Sequence, residues 1–314
     1  MDWTTTLDDA TARAVAALID DATACDGTAP VSEQAVHTLT QDSSAQHGFV
    51  RDNGNVAGYA NLVPAHGGHP AMAEVVVGPD HRGRGIGTTL VAAALAEGGD
   101  GARVWAHGDL PAAKAVASKL DLKPARELLQ MRRPLAVDLP ELVVPEGITL
   151  RTYVGSGDDP AILRVNSAAF ARHPEQGGWT EHDVDVRRRS DWFDPAGLFL
   201  ATDPDGTLLG FHWTKVHAGT DGTDGTDGTD ATDPPIGEVY VVGIDPGAQG
   251  RGLGRLLTLA GLHYLRERGL GAVLLYTEAD NTAAVHTYER LGFTRYHVDV
   301  AYAAAAASGH DTTA

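Results

Sequence analysis

Residues 242–254 read VGIDPGAQGRGLG, and residues 75–87 read VVVGPDHRGRGIG. An offset of 167 residues superposes Pro79 on Pro246, Arg82 on Gln249, and Gly83, Gly85 and Gly87 on Gly250, Gly252 and Gly254. The chain therefore reads as two copies of one domain. In each copy a β-branched run predicts a strand, a proline-containing turn follows, and a glycine-rich loop opens a helical pattern. After the second loop Leu253, Leu256, Leu257, Ala260, Tyr264 and Leu265 recur at helical spacing on one face, and Gly269 closes the helix.

Outward from the loops, the proline-punctuated segment at 137–147 separates an N-terminal domain, 1–136, from a C-terminal domain, 148–303, which opens on the alternating EGITLRTY. LLGFHWTKVHA and GEVYVVGI read as two strands of an extended hairpin, and VLLYTE as a further strand. The helix NTAAVHTYERLG comes next, with Asn281 as its N-cap. Between the hairpin strands lies an insertion, 219–235, which carries Asp221, Asp224, Asp227, Asp230 and Asp233 and whose three-residue Thr-Asp-Gly period has no apolar member. We expect it to be flexible, because it cannot build a core and lacks the nine-residue, aliphatic period of a calcium-binding β-helix repeat. The tail, 304–314, is expected to be disordered.

With 314 residues the chain is long enough for two cores, and with 43% hydrophobic and 21% charged residues it has a globular composition. No run approaches the roughly 18 uninterrupted apolar residues of a membrane span. The acidic N-terminus does not resemble a secretory signal. A net charge of −18 disfavours nucleic acid, which is bound by Lys and Arg displacing counterions. One cysteine, Cys25, excludes an internal disulfide, fits a reducing cytoplasm, and reads as a small apolar filler rather than a nucleophile. The 14 histidines form no metal signature, so no metal is expected.

Glycines at every second position match neither the G-x-G-x-x-G dinucleotide fingerprint nor a P-loop. They do let backbone N–H groups close on an anion at the positive end of a helix, and a pyrophosphate suits such a cradle. The alternative is a tight strand-to-helix turn, weakened by its occurring twice.

Arg82-Gly83-Arg84-Gly85-Ile86-Gly87 and Gln249-Gly250-Arg251-Gly252-Leu253-Gly254 resemble the acyl-CoA pyrophosphate loop of the GNAT N-acetyltransferases. Asn281, Ala284, Tyr288, Leu291, Gly292 and Phe293 resemble a later motif of that superfamily. The resemblance implies tandem GNAT domains of the α/β (α+β) class, each a mixed, mostly antiparallel sheet flanked by helices, with acetyl-CoA as cosubstrate. It assigns to acetyl-CoA Val75, Val76, Val77 and the first loop, Val242, Gly243, Ile244, the second loop with Arg255, and Asn281, Thr282, Ala283, Ala284, Val285 and His286. PVSEQAV, HPEQGGW and LLYTEADN extend the likeness to tandem members that acetylate the cysteinyl amine of cysteinyl-glucosaminyl-inositol. On that likeness Glu33, Glu175, Lys215, Glu238 and Tyr276 bind the amine substrate. Lys215 also stands out by itself, as a cation sharing the face of Leu209, Phe211 and Trp213.

Acetyl transfer from a thioester to an amine needs a neutral amine, a polarised carbonyl, close positioning and a proton for the departing thiolate. An α-amino group is only about a tenth neutral at pH 7, so a carboxylate, directly or through water, could remove the extra proton, and Glu238 is the candidate. Strand alternation would set it on one face with Tyr240 and Val242. The resemblance makes Tyr288 the general acid. In the N-terminal half the repeat offset puts Ala71 opposite Glu238, and the helix alignment puts Ala117 opposite Tyr288; Glu74 and Asp80 lie off the aligned position. We therefore expect the first half to hold acetyl-CoA without turning it over, and direct transfer without an acyl-enzyme in the second. A GNAT for another primary amine, or a non-catalytic acyl-CoA sensor, stays open on these residues. A monomer that acts on a small molecule, without nucleic acid or membrane, is expected.

Overall fold

The computed structural model describes residues 1, 3–41, 43–171, 174–219 and 234–305; most of the acidic insertion and nearly all of the tail lie outside the described residues. The chain forms two compact units, Met1–Leu128 with the segment from His297, and Leu129–Tyr296.

The first unit begins with β1 (Trp3–Thr4), α1 (Asp9–Asp26), α2 (Glu33–His37), β2 (Gln46–Asp52), β3 (Asn55–Val63) and β4 (Met72–Val77). It continues with α3 (Ile86–Gly98), β5 (Arg103–Ala106) and α4 (Pro111–Lys119), and β6 (Leu122–Pro134) carries the chain into the second unit. There follow β7 (Thr149–Thr152), α5 (Asp159–Ala169), α6 (Pro174–Gly177), α7 (Glu181–Arg188), β8 (Leu198–Thr202), β9 (Leu208–His217), β10 (Ile236–Ile244), α8 (Leu253–Glu267), β11 (Ala272–Glu278) and α9 (Thr282–Arg290). The last strand, β12 (Thr294–Ala304), gives its C-terminal half to the first unit.

The strand order is β1-β2-β3-β4-β5-β12 in the first unit and β6-β11-β10-β9-β8-β7 in the second. Both are mixed sheets, and in each a parallel pair, β4 with β5 and β10 with β11, follows from a helical crossover, as parallel neighbours require. The units divide after Leu128 rather than at 137–147. That proline-punctuated segment is anchored in the second unit: Arg133 Nη2 donates to the carbonyls of Val137 and Asp138, and His263 Nε2 bonds the Pro140 carbonyl at 2.9 Å. The chain's last strand covers β5, an edge that would otherwise expose unpaired N–H and C=O groups, with Val300–Ala303 antiparallel to Ala106–Arg103. Val300 and Ala301 are buried, so the pairing also completes the core.

The hairpin expected around the insertion is present as β9 against β10. Its inner face carries Phe211 and Trp213, both fully buried, against Ile162 and Val165 of α5, Val184 of α7 and Trp179. The other face carries His212 and Thr214 and takes α8. Gly261 permits that approach, since a Cβ there would collide with the His212 ring. Burial pushes the His212 imidazole down to about 4, so it stays neutral while Nδ1 bonds the Leu257 carbonyl at 2.8 Å. The helix α8 is more deeply enclosed than the single apolar face suggested: Thr258, Leu259, Gly261 and Leu262 are buried as well. Gly269, at φ 80°, ends it as expected.

Candidate active site

Each parallel pair opens part-way along its length. In the second unit β10 pairs with β11 from Gly237 to Val239, and the remaining strand, through Ile244, has backbone partners on β9 alone. In the first unit β4 pairs with β5 from Met72 to Glu74, and Val75, Val76 and Val77 pair only with β3. The open edges thus comprise the segments expected to meet acetyl-CoA. Splayed strands expose amides and carbonyls to which an extended acyl-pantetheine chain can add, in the manner of a strand joining a sheet edge.

Below each opening the glycine loop turns into a helix. Gly83 and Gly85 have φ of 75° and 85°, and Gly250 and Gly252 have 78° and 76°, a region that a Cβ disfavours. Gly85 and Gly252 are the N-caps of α3 and α8, and neither helix receives a side-chain cap. The first-turn amides of Ile86, Gly87 and Thr88, and of Leu253, Gly254 and Arg255, therefore keep no side-chain partner and face the turn as free donors. Such a donor set, at the positive end of helices of 13 and 15 residues, fits a pyrophosphate.

The arginines differ between the loops. Arg82 makes two 2.8 Å hydrogen bonds to the Asp26 carboxylate and donates Nε to the Val77 carbonyl, while Arg84 pairs with Asp52 at 3.2 Å. Arg251 and Arg255 are exposed and form no ion pair among the described residues. The first cradle must use its backbone; the second adds two available cations. A cavity of about 670 Å³ occupies the first unit's opening, lined by Val75–Val77, the loop glycines, Trp105, His107 and Tyr302. That volume suits a small-molecule site.

Glu238 sits on β10 beside the opening and is buried, 8% exposed. In register it faces Lys215 on β9 and Leu274 on β11. The period-two expectation needs correction, because the register slips between Val239 and Val241. Tyr240 is the extra residue of a β-bulge, so it stays on the face of Glu238 while Val242 moves to the opposite face with His212. This bulge also corrects the repeat alignment. Reading outward from Gly58 and Gly210, Met72, not Ala71, occupies the register position of Glu238. The first unit still has no carboxylate there. Its Glu74 is held structurally, accepting the Ser32 N–H at 2.6 Å and lying 3.7 Å from His107, and Asp80 is exposed in the turn before the loop.

Asn281 caps α9, its Oδ1 accepting the Ala284 N–H at 3.2 Å, and Thr282–His286 form the helix's first turns with Val285 buried. Tyr288, two turns on, is half-buried with its ring edge-on to Phe293 at 5.8 Å, and its hydroxyl has no hydrogen-bond partner among the described residues. Burial pushes its phenol up to about 12. The matching helix α4 is also nine residues long and carries Ala117 at the place of Tyr288.

Lys215 lies with its Nζ 5.3 Å from the Trp192 ring centre and 5.7 Å from that of Tyr240. Tyr276, 47% exposed, follows Leu274 on the same face of β11, and its hydroxyl accepts from Gln130 Nε2 at 2.6 Å. Glu175 falls in the short helix α6 rather than a loop, and its side chain lies outside the described residues. Glu33, exposed, opens α2 in the first unit, where the Ser32 Oγ accepts the Ala35 N–H at 3.2 Å. Cys25 is exposed, not a core filler. Among the described residues no group of three or more His, Cys, Asp or Glu could hold a metal, and no helix is long and apolar enough to cross a membrane.

Sequence reasoning missed three partners. His217 bonds Glu238 Oε2 through Nε2 at 2.6 Å. Trp192 and Arg187 complete a wall with Tyr240, Arg187 Nε donating to the Tyr240 hydroxyl at 3.0 Å. The recurring His, Trp and Lys of FHWTKVH was the available signal: alternation puts Lys215 and His217 on one face.

The pattern of the acetyltransferase (GNAT) family matches residues 14–118 and 165–293, one stretch in each half. The chain belongs to the GNAT acetyltransferase family. As a GNAT enzyme it is an acetyl-CoA-dependent N-acetyltransferase. It is 67% identical to the mycothiol acetyltransferase of Nocardia farcinica, covering 96% of this chain and 97% of that protein. It is 55% identical to that of Mycolicibacterium smegmatis, covering 96% and 98%. In fold it is similar to a GCN5-related N-acetyltransferase from Sphaerobacter thermophilus, with a TM-score of 0.67, 24% identity and 96% and 94% of the two chains covered. A tandem GNAT protein of clavulanic acid biosynthesis gives 0.65, 20% identity, and 96% and 97%.

Proposed function

We propose that this GNAT enzyme is a mycothiol synthase, moving the acetyl group of acetyl-CoA onto the cysteinyl amine of cysteinyl-glucosaminyl-inositol, the last step in making mycothiol. The near-full-length identity to mycothiol acetyltransferases supports the substrate, and the second unit's own residues support the chemistry. The observation that carries it is the placement of Glu238, a buried carboxylate beside the opening of β10 from β11.

The backbone of Val242–Ile244 and the amides at the start of α8 hold the acyl-pantetheine and pyrophosphate, with Arg251 and Arg255 adding charge. Glu238, directly or through one water, takes the excess proton of the substrate ammonium, and the neutral amine attacks the thioester carbon. The tetrahedral intermediate then expels the coenzyme A thiolate, which Tyr288 protonates, and the phenolate recovers its proton from the nitrogen as the amide forms. Lys215, Tyr276 and Glu175 bind the polyhydroxylated part of the acceptor, for which carboxylates, phenols and an ammonium are apt partners. The first unit keeps the cradle and lacks both proton-handling side chains, so it binds acetyl-CoA and is silent. The reading places the enzyme in the cytoplasm, which its single cysteine supports.

The test is a panel of amines offered with acetyl-CoA, with cysteinyl-glucosaminyl-inositol among them. The highest kcat/KM is expected for that conjugate. A preference of about a hundredfold or more for a peptide N-terminus, an aminoglycoside or a polyamine would reject the substrate while leaving the family intact.

A further inference from the structure

Acetylation of an ammonium by a thioester releases one proton for every amide formed. Nitrogen sheds two protons on becoming an amide N–H, and the thiolate recovers one. Glu238, the proposed base, is too enclosed to return that proton to water unaided; its side chain is 10% exposed, whereas the side chain of His217 is 38% exposed. The two are joined by the 2.6 Å contact between His217 Nε2 and Glu238 Oε2. They lie on one face of adjacent strands, diagonal to each other across the Ile236–His217 pair.

We propose that His217 is a positioning residue and proton exit for Glu238, an inference that rests on the reading of Glu238 as the base. One imidazole nitrogen fixes Oε2, leaving Oε1, which has no partner among the described residues, directed to the amine or its water. After Glu238 takes the proton, the Nδ1–H tautomer of His217 receives it at Nε2 and loses the Nδ1 proton to solvent, restoring the carboxylate with Nε2–H donating to Oε2; solvent exchange at the exposed ring returns the Nδ1–H tautomer for the next cycle. Among the described residues, the groups facing this pair do not supply another exit. Lys215, opposite Glu238, is a cation against Trp192 and Tyr240. Leu274 on β11 is apolar, and the Tyr240 hydroxyl is engaged by Arg187. Tyr276 further along β11 is bonded to Gln130. An imidazole can take up a proton at one ring nitrogen while the other releases one, which is the chemistry a proton exit needs.

The experiment compares His217→Gln, His217→Gly and Glu238→Gln in the full chain, with acetyl-CoA and the amine acceptor. His217→Gln keeps a hydrogen-bonding side chain without a titrating one; His217→Asn replaces it if the glutamine protein does not accumulate folded. We expect kcat at pH 8 to fall about tenfold with KM for acetyl-CoA unchanged. The part of the kcat profile against pH that belongs to the imidazole should be lost, and added imidazole should restore His217→Gly. An undiminished rate, or a loss uniform in pH and unaffected by imidazole, would overturn the relay. Glu238→Gln separates the two levels of the argument. Full activity in that variant removes the base itself, whereas an inactive Glu238→Gln beside a normal His217→Gln removes only the exit route.

Discussion

Lys215 and Glu238 face each other directly across β9 and β10, yet they form no ion pair: the ammonium lies over Trp192 and Tyr240, and the carboxylate turns to His217. A cation held against aromatic faces without a carboxylate keeps its three donors available to a ligand. Lys215→Met preserves the stem and removes the charge. KM for the amine acceptor should rise about tenfold, the loss of one charge-assisted hydrogen bond, with KM for acetyl-CoA unchanged. A lowered melting temperature with both constants intact would make Lys215 a structural cation instead.

Tyr288 should act as a donor that is protonated at every working pH, because its phenol is pushed up to about 12. Tyr288→Phe is expected to reduce kcat by about a hundredfold with little change in either KM. No basic limb in the kcat profile between pH 7 and 10 should belong to this residue. A parental limb near pH 9 that disappears in Tyr288→Phe would contradict the assignment.

The unequal arginines of the two loops predict unequal consequences. Removing Arg251 and Arg255 together should raise KM for acetyl-CoA about tenfold or more and flatten its dependence on salt, since two exposed charges then no longer meet the phosphates. Arg82→Ala should act on folding instead, lowering the thermal midpoint by breaking the Asp26 pair, with KM unchanged. Titration of turnover against ionic strength and a thermal melt distinguish these outcomes.

His107 predicts a pH-dependent stability in the first unit. Burial alone would lower its imidazolium, but Asp299 at 3.5 Å and Glu74 at 3.7 Å outweigh that and push it up to about 9. A folded value above the ordinary 6.5 means stabilisation that is complete below pH 6.5 and lost as pH rises through 9. His107→Gln should therefore melt earlier than the parent at pH 7, by a difference on the order of 2 kcal/mol, and the gap should close by pH 10. A gap independent of pH would place the effect in packing.

Much of this was written locally. The repeated loops, the hairpin, the Asn281 cap and the helix of Tyr288 depend on side-chain period, glycine φ and capping chemistry within a few residues, and all are legible in the linear chain. So was the loss of a carboxylate and a phenol from the first copy, although the aligned residue moved from Ala71 to Met72. That shift illustrates what a sequence conceals: a β-bulge at Tyr240 adds one residue to one strand, which only pairing against β9 reveals.

The remaining determinants are contacts between distant parts of the chain. Asp26 neutralising Arg82, β12 completing the sheet of the first unit, and Cys25 reaching the surface carry no short-range signature. The bond from His217 to Glu238 spans the acidic insertion, 21 residues in sequence and a single strand spacing in the fold. Composition and periodicity determined which elements form and which chemistry they can carry. Strand register and helix docking decided which charges remain available to a substrate, because these are set by pairing energy summed over the whole sheet rather than by any one segment.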